Sequence, residues 1–373
     1  MNSRLIKALR EIPVEGYRFL KKQYPPFVIS PNPQLVPDTV PVFMYHRVTP
    51  DRLEQQLQFL HDNGYRTLRL DEFIAFLHGD LSLQAAAVLL TFDDGDCSWY
   101  DVAYPLLKKF GMKATGFLVP AFMKEHPNSG PWLSWTQVRE MEAAGIFSFA
   151  SHTFRHDRVF KSSRLIDFLH PSFDHNPLGL DTPTVLDPDG TLLPAPLGSP
   201  VYAHASRMRV DKLFLDHPTV RRECQQFVED KGGLDFFENP DWRRHLLRHY
   251  KGLCRIHGRG AFADAASTHH AVYEDLHQAK AVLEKALQHP VQDLCLPWGE
   301  GSEMAVARAK EAGYRSCFRV CTVRNQNRKG DNPFYIPRLK EDYLTRLPGK
   351  GRENLIDLLR MKAQRRRTST HIY

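Results

Sequence analysis

The sequence predicts an α/β fold in which parallel strands alternate with helices, as a barrel or a doubly wound sheet. Three observations support this prediction. Short apolar runs alternate with segments of helical periodicity, the connections are short, and several helices end at a glycine. Strands joined through helices run parallel, and functional residues collect at their carboxyl ends. The residues just past each predicted strand are therefore the first candidates for a functional site.

The first half of the alternation runs from residue 42 to residue 151. Its predicted strands are short and largely apolar, as expected for buried strands. They cover residues 42–45, 65–70, 87–92, 114–119 and 147–151. The helices between them are predicted from apolar residues at helical spacing. They cover residues 52–63, 71–77, 101–110 and 135–144, and Gly64, Gly111 and Gly145 end three of them as C-caps.

The alternation stops after His156 and resumes near residue 272. Residues 157–270 are rich in Pro, Asp, Gly and His and include the turn Asp187-Pro188-Asp189-Gly190. With helices predicted at 210–232 and 241–252, this segment is expected to be a largely helical insertion beside the mouth of the fold. The second half then consists of helices at 272–287 and 303–312 and strands at 291–296, 316–320 and 335–339.

Two basic segments flank this fold. Residues 1–40 are predicted to form a basic N-terminal helix and a proline-rich linker, and residues 346–373 a basic C-terminal helix or tail. The fold itself then spans residues 41–345, interrupted by the insertion. The net charge of +7 comes largely from these ends, which are expected to be solvated or to contact an anionic membrane surface. With 42% hydrophobic and 25% charged residues, the composition excludes global disorder.

Location and partners follow from what the sequence lacks. No secretory signal and no apolar span is apparent, so we expect a cytoplasmic protein, peripheral at the inner membrane face if its basic N-terminus binds lipid. The six cysteines lack paired spacing and are predicted to be free thiols. No basic–aromatic motif indicates nucleic-acid binding.

Two adjacent carboxylates, Asp93 and Asp94, follow the predicted strand at 87–92. Because side chains alternate along a strand, the two can point in different directions from one strand end. One carboxylate can then bind a cation while the other accepts a proton, and the cation favours the ionised form of its neighbour. The alternative is that Asp93-Asp94-Gly95 is simply a turn.

Two histidines, His152 and His156, follow the predicted strand at 147–151. On a helical turn this spacing puts both imidazoles on one face, where they can share a metal. Two histidines and a carboxylate are an open coordination set for zinc or another first-row divalent metal. In a chain with 18 histidines, however, such a pair can also arise by chance.

These two motifs together resemble the polysaccharide deacetylase family, carbohydrate esterase family 4. A strand ending in Thr-Phe-Asp-Asp-Gly precedes one ending in Ser-His-Thr-Phe-Arg-His. The run Tyr45-His46-Arg47-Val48 is similar to the family's start, and Leu296-Pro297-Trp298-Gly299 is similar to its third motif. The resemblance covers residues 41–156 and 272–340 and implies a distorted (β/α)7 barrel.

The resemblance also implies roles for individual residues. Asp93 is expected to be the general base, and Asp94, His152 and His156 the ligands of a divalent metal. Zinc is expected first, with nickel, cobalt or iron as alternatives. The substrate would lie against Tyr45, Pro297 and Trp298.

Two positions depart from the family pattern. Many members carry an arginine two residues before the proline of the third motif, where it steadies the base, but this chain has Cys295 there. Arg338 is predicted to replace it from the last strand, unless it forms a surface ion pair. The usual late Leu-x-His, the source of the general acid, is absent, and the late His371 lies in a basic tail. His46 is the predicted acid, although it could instead line the groove or cap its strand.

The expected activity is metal-dependent N-deacetylation of a glycan, oligosaccharide or sugar-lipid that contains an N-acetylhexosamine. Two alternatives remain open at this point. The chain could hydrolyse a non-sugar amide with the same metal site, or it could be a catalytically inactive glycan-binding module.

Overall fold

The computed structural model describes residues 17, 21, 23–34, 38–127, 129–174, 178–187, 190–320 and 327–368. Most of the predicted N-terminal basic helix lies outside the described residues, as do residues 35–37 of the proline-rich linker and the last five residues of the chain. The predictions for those segments stay predictions.

The strands of the described part are, in chain order, β1 (Thr39–Val40), β2 (Val42–Tyr45), β3 (Arg66–Thr67), β4 (Ala87–Asp94), β5 (Ala114–Leu118), β6 (Phe147–Ser151), β7 (Arg158–Phe168), β8 (Thr184–Leu186), β9 (Leu192–Pro194), β10 (Pro200–Ser206), β11 (Phe214–Asp216), β12 (Gly260–Phe262), β13 (Asp293–Cys295), β14 (Ser316–Val320), β15 (Asn327–Arg328) and β16 (Ile336–Lys340). The α-helices are α1 (Pro26–Ile29), α2 (Pro50–Asp62), α3 (Leu70–His78), α4 (Tyr104–Phe110), α5 (Trp135–Ala143), α6 (Pro218–Asp230), α7 (Trp242–His257), α8 (Ala265–Leu287), α9 (Glu303–Glu311) and α10 (Leu355–Thr368).

Seven of these strands close into a parallel barrel, in the order β2, β4, β5, β6, β13, β14 and β16. Strand β16 pairs with β2 to close the ring, and the short β3 extends it beside β4. All pairs within the ring are parallel. The predicted (β/α)7 barrel is thereby confirmed, and the open alternative of a doubly wound sheet does not apply.

The barrel interior is filled by one hydrophobic cluster to which every barrel strand contributes. It contains Val42, Leu89, Phe117, Ala150, Cys295, Phe318 and Ile336, one residue from each strand in chain order, together with residues of α3. A second cluster packs the outside of the strands against the helices. Strand β4 is buried at all eight positions because both of its faces are covered, as is usual for parallel strands.

Outside the insertion, most predicted elements lie within a few residues of the observed ones, with two larger differences. The predicted strand at 65–70 shrinks to Arg66–Thr67, because Leu70 already begins α3, where the Glu72 side chain accepts the backbone N–H of Arg69. Helix α8 begins at Ala265, earlier than predicted, where Asp264 caps it by accepting the N–H of Ser267. In both cases a polar cap sets the boundary, whereas the apolar periodicity marks only the buried part of the helix.

The insertion at 157–270 is a mixture of strands and helices, so the expectation of a largely helical segment was wrong. Its first part is an antiparallel pair of long strands, β7 and β10, with a register shift near Tyr202. Helices α6 and α7 follow. Helix α7 is close to the predicted helix at 241–252, whereas α6 begins eight residues later than the helix predicted at 210–232, because residues 214–216 form β11. Both helices pack on these strands around a hydrophobic cluster of their own that includes Phe160, Tyr202 and Trp242. The strands were missed because β7 is only partly buried and lacks a clean apolar alternation.

The C-terminal helix α10 packs back on the barrel through Leu358. The nearly buried Lys362 lies 3.6 Å from an Asp342 carboxylate oxygen and donates to the Tyr343 hydroxyl. Part of the basic C-terminal segment therefore pairs with the protein's own acidic groups. Within the described residues, no helix combines the length and the apolar character needed to cross a membrane. The cytoplasmic location stays a prediction.

Candidate functional site

Strand β4 ends in two buried carboxylates that face different surroundings. Asp93 follows Leu89 and Thr91 on the interior side of the barrel, and Asp94 takes a positive φ of 86° at the point where the strand turns into Gly95. Each of the two residues is 2% exposed. A left-handed backbone at a residue other than glycine is strained and persists only where its surroundings hold it. Both carboxylates belong to β4 and the chain turns only at Gly95, so Asp93-Asp94-Gly95 is not simply a turn. The alternation of the strand turns the two side chains to different surroundings.

Asp93 forms a bidentate ion pair with Arg338 across the barrel interior. Arg338 Nη1 and Nη2 donate to the two carboxylate oxygens, each at 2.7 Å. The guanidinium also contacts Thr91 Oγ1 at 3.1 Å and Cys295 Sγ at 2.9 Å. The Arg338 side chain is 0% exposed, so it is not the surface ion pair that the sequence left open. Arg338 reaches Asp93 from the last barrel strand, and Cys295 leaves the space that the guanidinium fills.

This pairing keeps Asp93 ionised. Burial by itself would raise the pKa of Asp93, but the positive charge and hydrogen bonds of Arg338, with neighbouring His152 and His46, hold its pKa below the usual value. A carboxylate that stays ionised in a buried site can accept a proton there. Its partly exposed neighbour His46 places Nε2 3.9 Å from Asp93 Oδ2, with 15% of the His46 side chain exposed. Burial lowers the pKa of His46 more than the two nearby carboxylates raise it.

Asp94, His152 and His156 converge on one point at the barrel mouth. Asp94 Oδ1 lies 3.4 Å from His152 Nε2 and 3.5 Å from His156 Nε2. The three side chains are no more than 4% exposed. Asp94 Oδ1 is a buried oxygen without a hydrogen-bond partner among the described residues. A buried acceptor without a donor is costly unless another group satisfies it.

The two histidines reach this point from an irregular loop, so the helical turn expected from their spacing was wrong. Thr153 and His156 both take positive φ, at 66° and 59°. The His152 backbone N–H donates to Leu118 O at 2.8 Å, which continues the pairing of β6 with β5. The His152 ring lies 2.9 Å from Cys295 O through Nδ1. Because a carbonyl only accepts, Nδ1 carries the proton and Nε2 is left free to bind a metal.

This set of donors fits a divalent first-row metal. Two imidazoles and one carboxylate, with room for further ligands, are a common open site for zinc and its neighbours. Burial holds the pKa of His156 down to about 3, so its imidazole is neutral, as a metal ligand must be. The group Asp93, His152 and Cys295 is equally compact, but Asp93 is already paired with Arg338. Asp94, His152 and His156 are therefore the better metal site.

Aromatic side chains line the space beside this triad. The Trp298 ring centroid lies 4.1 Å from that of His156, and the Arg158 guanidinium lies 4.5 Å above the Trp298 ring. On the other side Phe122, whose ring is 6.3 Å from His156, stacks on Trp132 at 4.5 Å. Sequence reasoning missed Phe122, Trp132 and Arg158. Phe122 and Trp132 lie in the segment after β5, and Arg158 begins β7 after the loop that follows β6. Their position after the carboxyl ends of barrel strands could have identified them.

Of the three residues expected to contact substrate, the structure places Trp298 beside the triad but not Tyr45. Trp298 is partly exposed, whereas Pro297 is buried just before it. Tyr45 is 2% exposed, stacks on Phe92 at 4.8 Å and donates its hydroxyl to Gln56. Tyr45 therefore points between the barrel and its helices, because the alternation of β2 turns it away from the interior. The expectation that Tyr45 contacts substrate is corrected accordingly.

Comparison with known proteins agrees with this site. Residues 81–167, which contain Asp93, Asp94, His152 and His156, match the family model "Polysaccharide deacetylase". YxkH of Bacillus subtilis, which carries the family's name, is 40% identical over 130 residues, covering 32% of this chain and 44% of that protein. The poly-β-1,6-N-acetyl-D-glucosamine N-deacetylase of Staphylococcus epidermidis is 34% identical over 129 residues, again covering 44% of its length. The chain thus spans less than half the length of these curated relatives.

Solved structures agree on the fold. The deacetylase domain of BpsB from Bordetella bronchiseptica superimposes with a TM-score of 0.52 at 15% identity, covering 83% of this chain and 97% of that one. A de-N-acetylase from Aggregatibacter actinomycetemcomitans superimposes with a TM-score of 0.50 at 19% identity, covering 81% of this chain and 94% of that one. At such identities the likeness shows the barrel fold alone. Residues 81–167, which carry Asp93, Asp94, His152 and His156, thus match the polysaccharide deacetylase family model, and the barrel around them has the fold of these solved structures.

Proposed function

We propose that this protein is a metal-dependent N-deacetylase that hydrolyses the acetamide of an N-acetylhexosamine in a glycan, oligosaccharide or sugar-lipid. One observation carries the proposal. The buried base Asp93, held ionised by Arg338, lies directly beside the buried triad of Asp94, His152 and His156. A glycan-binding module would have no need of a carboxylate that is neutralised by its own arginine at the barrel interior. The names of the staphylococcal relatives support an N-acetylglucosamine polymer as the substrate class.

In this proposal Asp94, His152 and His156 hold the metal, most simply zinc. The metal would polarise the amide carbonyl and make a water molecule acidic at neutral pH. Asp93 accepts the proton of the attacking water through a carboxylate oxygen, and Arg338 keeps that carboxylate in position through its two hydrogen bonds. The partly exposed rings of Trp298 and Trp132 are aromatic surface near the triad on which a sugar ring can pack, beside their contacts with His156, Arg158 and Phe122.

The leaving amine needs a proton, and His46 is our candidate donor. Because burial lowers the pKa of His46, its imidazole must first take up the proton that Asp93 accepted from water before it passes one to the amine. Among the described histidines outside the triad, it is the one whose ring nitrogen lies within 4 Å of Asp93. Its side chain is partly exposed, so solvent and substrate can reach the ring. If His46 does not donate, Asp93 must itself return the proton that it accepted.

The proposal is tested by acetate release from N-acetylglucosamine oligomers and from poly-β-1,6-N-acetylglucosamine. We expect release by the zinc-loaded protein, loss of release after chelation, and recovery when zinc is added back. A panel of non-sugar amides serves as the comparison. Turnover of those amides alone would replace the proposal with a different amidohydrolase. Stoichiometric zinc with glycan binding but no turnover would indicate a binding module.

Replacing His46 by alanine is expected to lower kcat by roughly 10²- to 10⁴-fold, the usual contribution of general acid catalysis. The zinc content should stay unchanged, because His46 is not part of the triad. The measurement is kcat for acetate release together with metal analysis. His249→Ala is the matched control, since this imidazole stacks on Phe227 in the insertion, remote from the barrel interior. Unchanged kcat in His46→Ala would assign the proton transfer to Asp93.

A further inference from the structure

One short segment of the insertion, Ser206–Arg209 at the end of β10, contacts two loops of the site. One loop carries His152 and His156, and the other carries Trp298. The Arg207 backbone N–H donates to Asp157 O at 3.0 Å, so this segment is bonded to the end of the loop that carries His152 and His156. On the other side, Ser206 N donates to Glu300 Oε2 at 3.2 Å, and Ser302 N donates to Met208 O at 2.9 Å. Those two bonds reach the loop that carries Trp298.

The Arg207 side chain lies between two buried carboxylates. Its Nη1 is 3.7 Å from Asp157 Oδ2 and 3.8 Å from Asp275 Oδ2. The side chains of Asp157 and Asp275 are 5% and 3% exposed, and that of Arg207 is 19% exposed. Two buried like charges repel each other unless a positive charge compensates them. Arg207 is the near counter-charge, and Arg155 adds a weaker, more distant one.

Both carboxylates are attached to the loop that carries the two histidines. Asp157 follows His156 directly, and Asp275 Oδ1 accepts the backbone N–H of Phe154 at 3.0 Å, in the middle of the loop. The same loop holds two residues other than glycine at positive φ, Thr153 and His156. Such a conformation costs free energy and persists only where neighbouring groups hold it. Repulsion between Asp157 and Asp275 would act directly on this strained loop.

Of the three ligands, His156 would be affected most by a shift of this loop. Its Nδ1 is buried and has no hydrogen-bond partner among the described residues, whereas the ring of His152 is held by Cys295 O. The direction of the His156 ring is therefore set by the backbone of the loop and by packing on Trp298. Partners that orient a metal ligand without touching the metal commonly change the metal affinity when they are removed.

We infer that Arg207 is a positioning residue through which the insertion holds His156 toward Asp94, so that the insertion contributes to metal affinity. This inference rests on the proposed function, in which Asp94, His152 and His156 bind a divalent metal. It gives the insertion a role in the metal site itself.

The test is the zinc affinity of the full chain, measured by competition with a chelator. Arg207→Met keeps the backbone bond to Asp157 and the unbranched stem of the side chain but removes the guanidinium and its charge. We expect it to bind zinc roughly 10- to 100-fold more weakly, the usual effect of losing such an orienting partner. Arg207→Lys, which restores a positive charge, should recover part of this loss.

Arg221→Met is the matched control. Arg221 is an equally sheltered arginine of the insertion, with its side chain 11% exposed, and it pairs with Asp216 and donates to Leu186 O. It contacts neither site loop through these bonds. We expect Arg221→Met to lower thermal stability without weakening zinc binding.

A double variant separates charge compensation from general damage. Asp275→Asn keeps an oxygen that accepts the Phe154 N–H but removes one of the two negative charges. In that background Arg207→Met should weaken zinc binding much less than in the parent protein, because the repulsion that Arg207 relieves is already gone. An equal loss in both backgrounds would contradict the inference.

The outcomes distinguish the inference from the proposed function. If the parent protein binds no zinc, or binds it equally well without Asp94, the metal site itself is overturned. If the parent binds zinc and Arg207→Met binds it as tightly, the inference about Arg207 is overturned and the site stands. Weakening of the same size in Arg221→Met would also overturn it. If Arg207→Met fails to fold, the zinc affinity of Arg207→Lys is compared with that of Arg221→Met. Weaker zinc binding by Arg207→Lys supports the inference, and equal binding overturns it.

Discussion

Asp93→Asn is expected to lose deacetylase activity by roughly 10²- to 10⁴-fold in kcat while it still binds zinc. Asparagine has nearly the shape of aspartate and can still accept a hydrogen bond from Arg338, but its amide cannot take the proton of the attacking water. The metal should remain bound because Asp94, His152 and His156 are intact. The measurement is kcat for acetate release at saturating zinc, with the metal content of the purified variant.

The control for Asp93→Asn is Asp293→Asn. Asp293 is also a buried acid on a barrel strand, 4% exposed, but it starts β13 and pairs with Arg315 and Ser316 away from the cavity. We expect this variant to be less stable yet to keep its kcat. A loss of less than roughly tenfold in Asp93→Asn, with zinc bound, would mean that another group is the base.

Arg338→Met is expected to have the largest effect on stability, a loss of about 3–5 kcal/mol in the free energy of unfolding. The substitution leaves Asp93 as a buried negative charge without its partner, and the pair is at most 3% exposed to water. Methionine fills much of the space of the guanidinium, so the loss reflects charge more than packing. Activity should fall as well, because the carboxylate loses the two hydrogen bonds that orient it. Denaturant unfolding and kcat measure the two effects.

The double variant Arg338→Met/Asp93→Asn tests the electrostatic reason. With both charges removed, its free energy of unfolding should lie above that of Arg338→Met, since neither member remains unpaired. Arg346→Met is the control for burial of an arginine. Arg346 is 4% exposed and donates to Val28 O and Glu353 O, so its loss should destabilise the protein without lowering kcat. A double variant as unstable as Arg338→Met would show that packing dominates.

Much of the site was predictable because strand ends can be located in the sequence. The apolar runs at 87–92 and 147–151 identify buried strands, and parallel topology brings their carboxyl ends to the same side of the fold. Asp93, Asp94, His152 and His156 were therefore expected near one another before any coordinates. The order of the motifs added the family resemblance, and with it the seven-stranded barrel.

Other residues could not be placed from the sequence because their roles depend on which face of a strand they occupy. Tyr45 and His46 are neighbours, yet Tyr45 packs on Phe92 behind the barrel while His46 lies near Asp93. A shift of one residue in the start of β2 would exchange them. The insertion was misjudged for a different reason. The middle of β7, residues 161–164, is polar on both faces, so this strand lacks the apolar alternation by which strands are recognised.

The sequence by itself indicated parallel strands that alternate with helices and placed Asp93, Asp94, His152 and His156 at strand ends that converge, because local patterns mark strands. The family resemblance added the seven-stranded barrel and the expected reaction. Only the tertiary structure decided that Arg338 neutralises Asp93, that Arg207 lies between Asp157 and Asp275, and that His156 reaches Asp94 from a strained loop. Each of these contacts joins segments far apart in the chain or depends on backbone torsion. Their energies come from burying opposite charges together, and nothing in a linear pattern of residue types records which charges will meet.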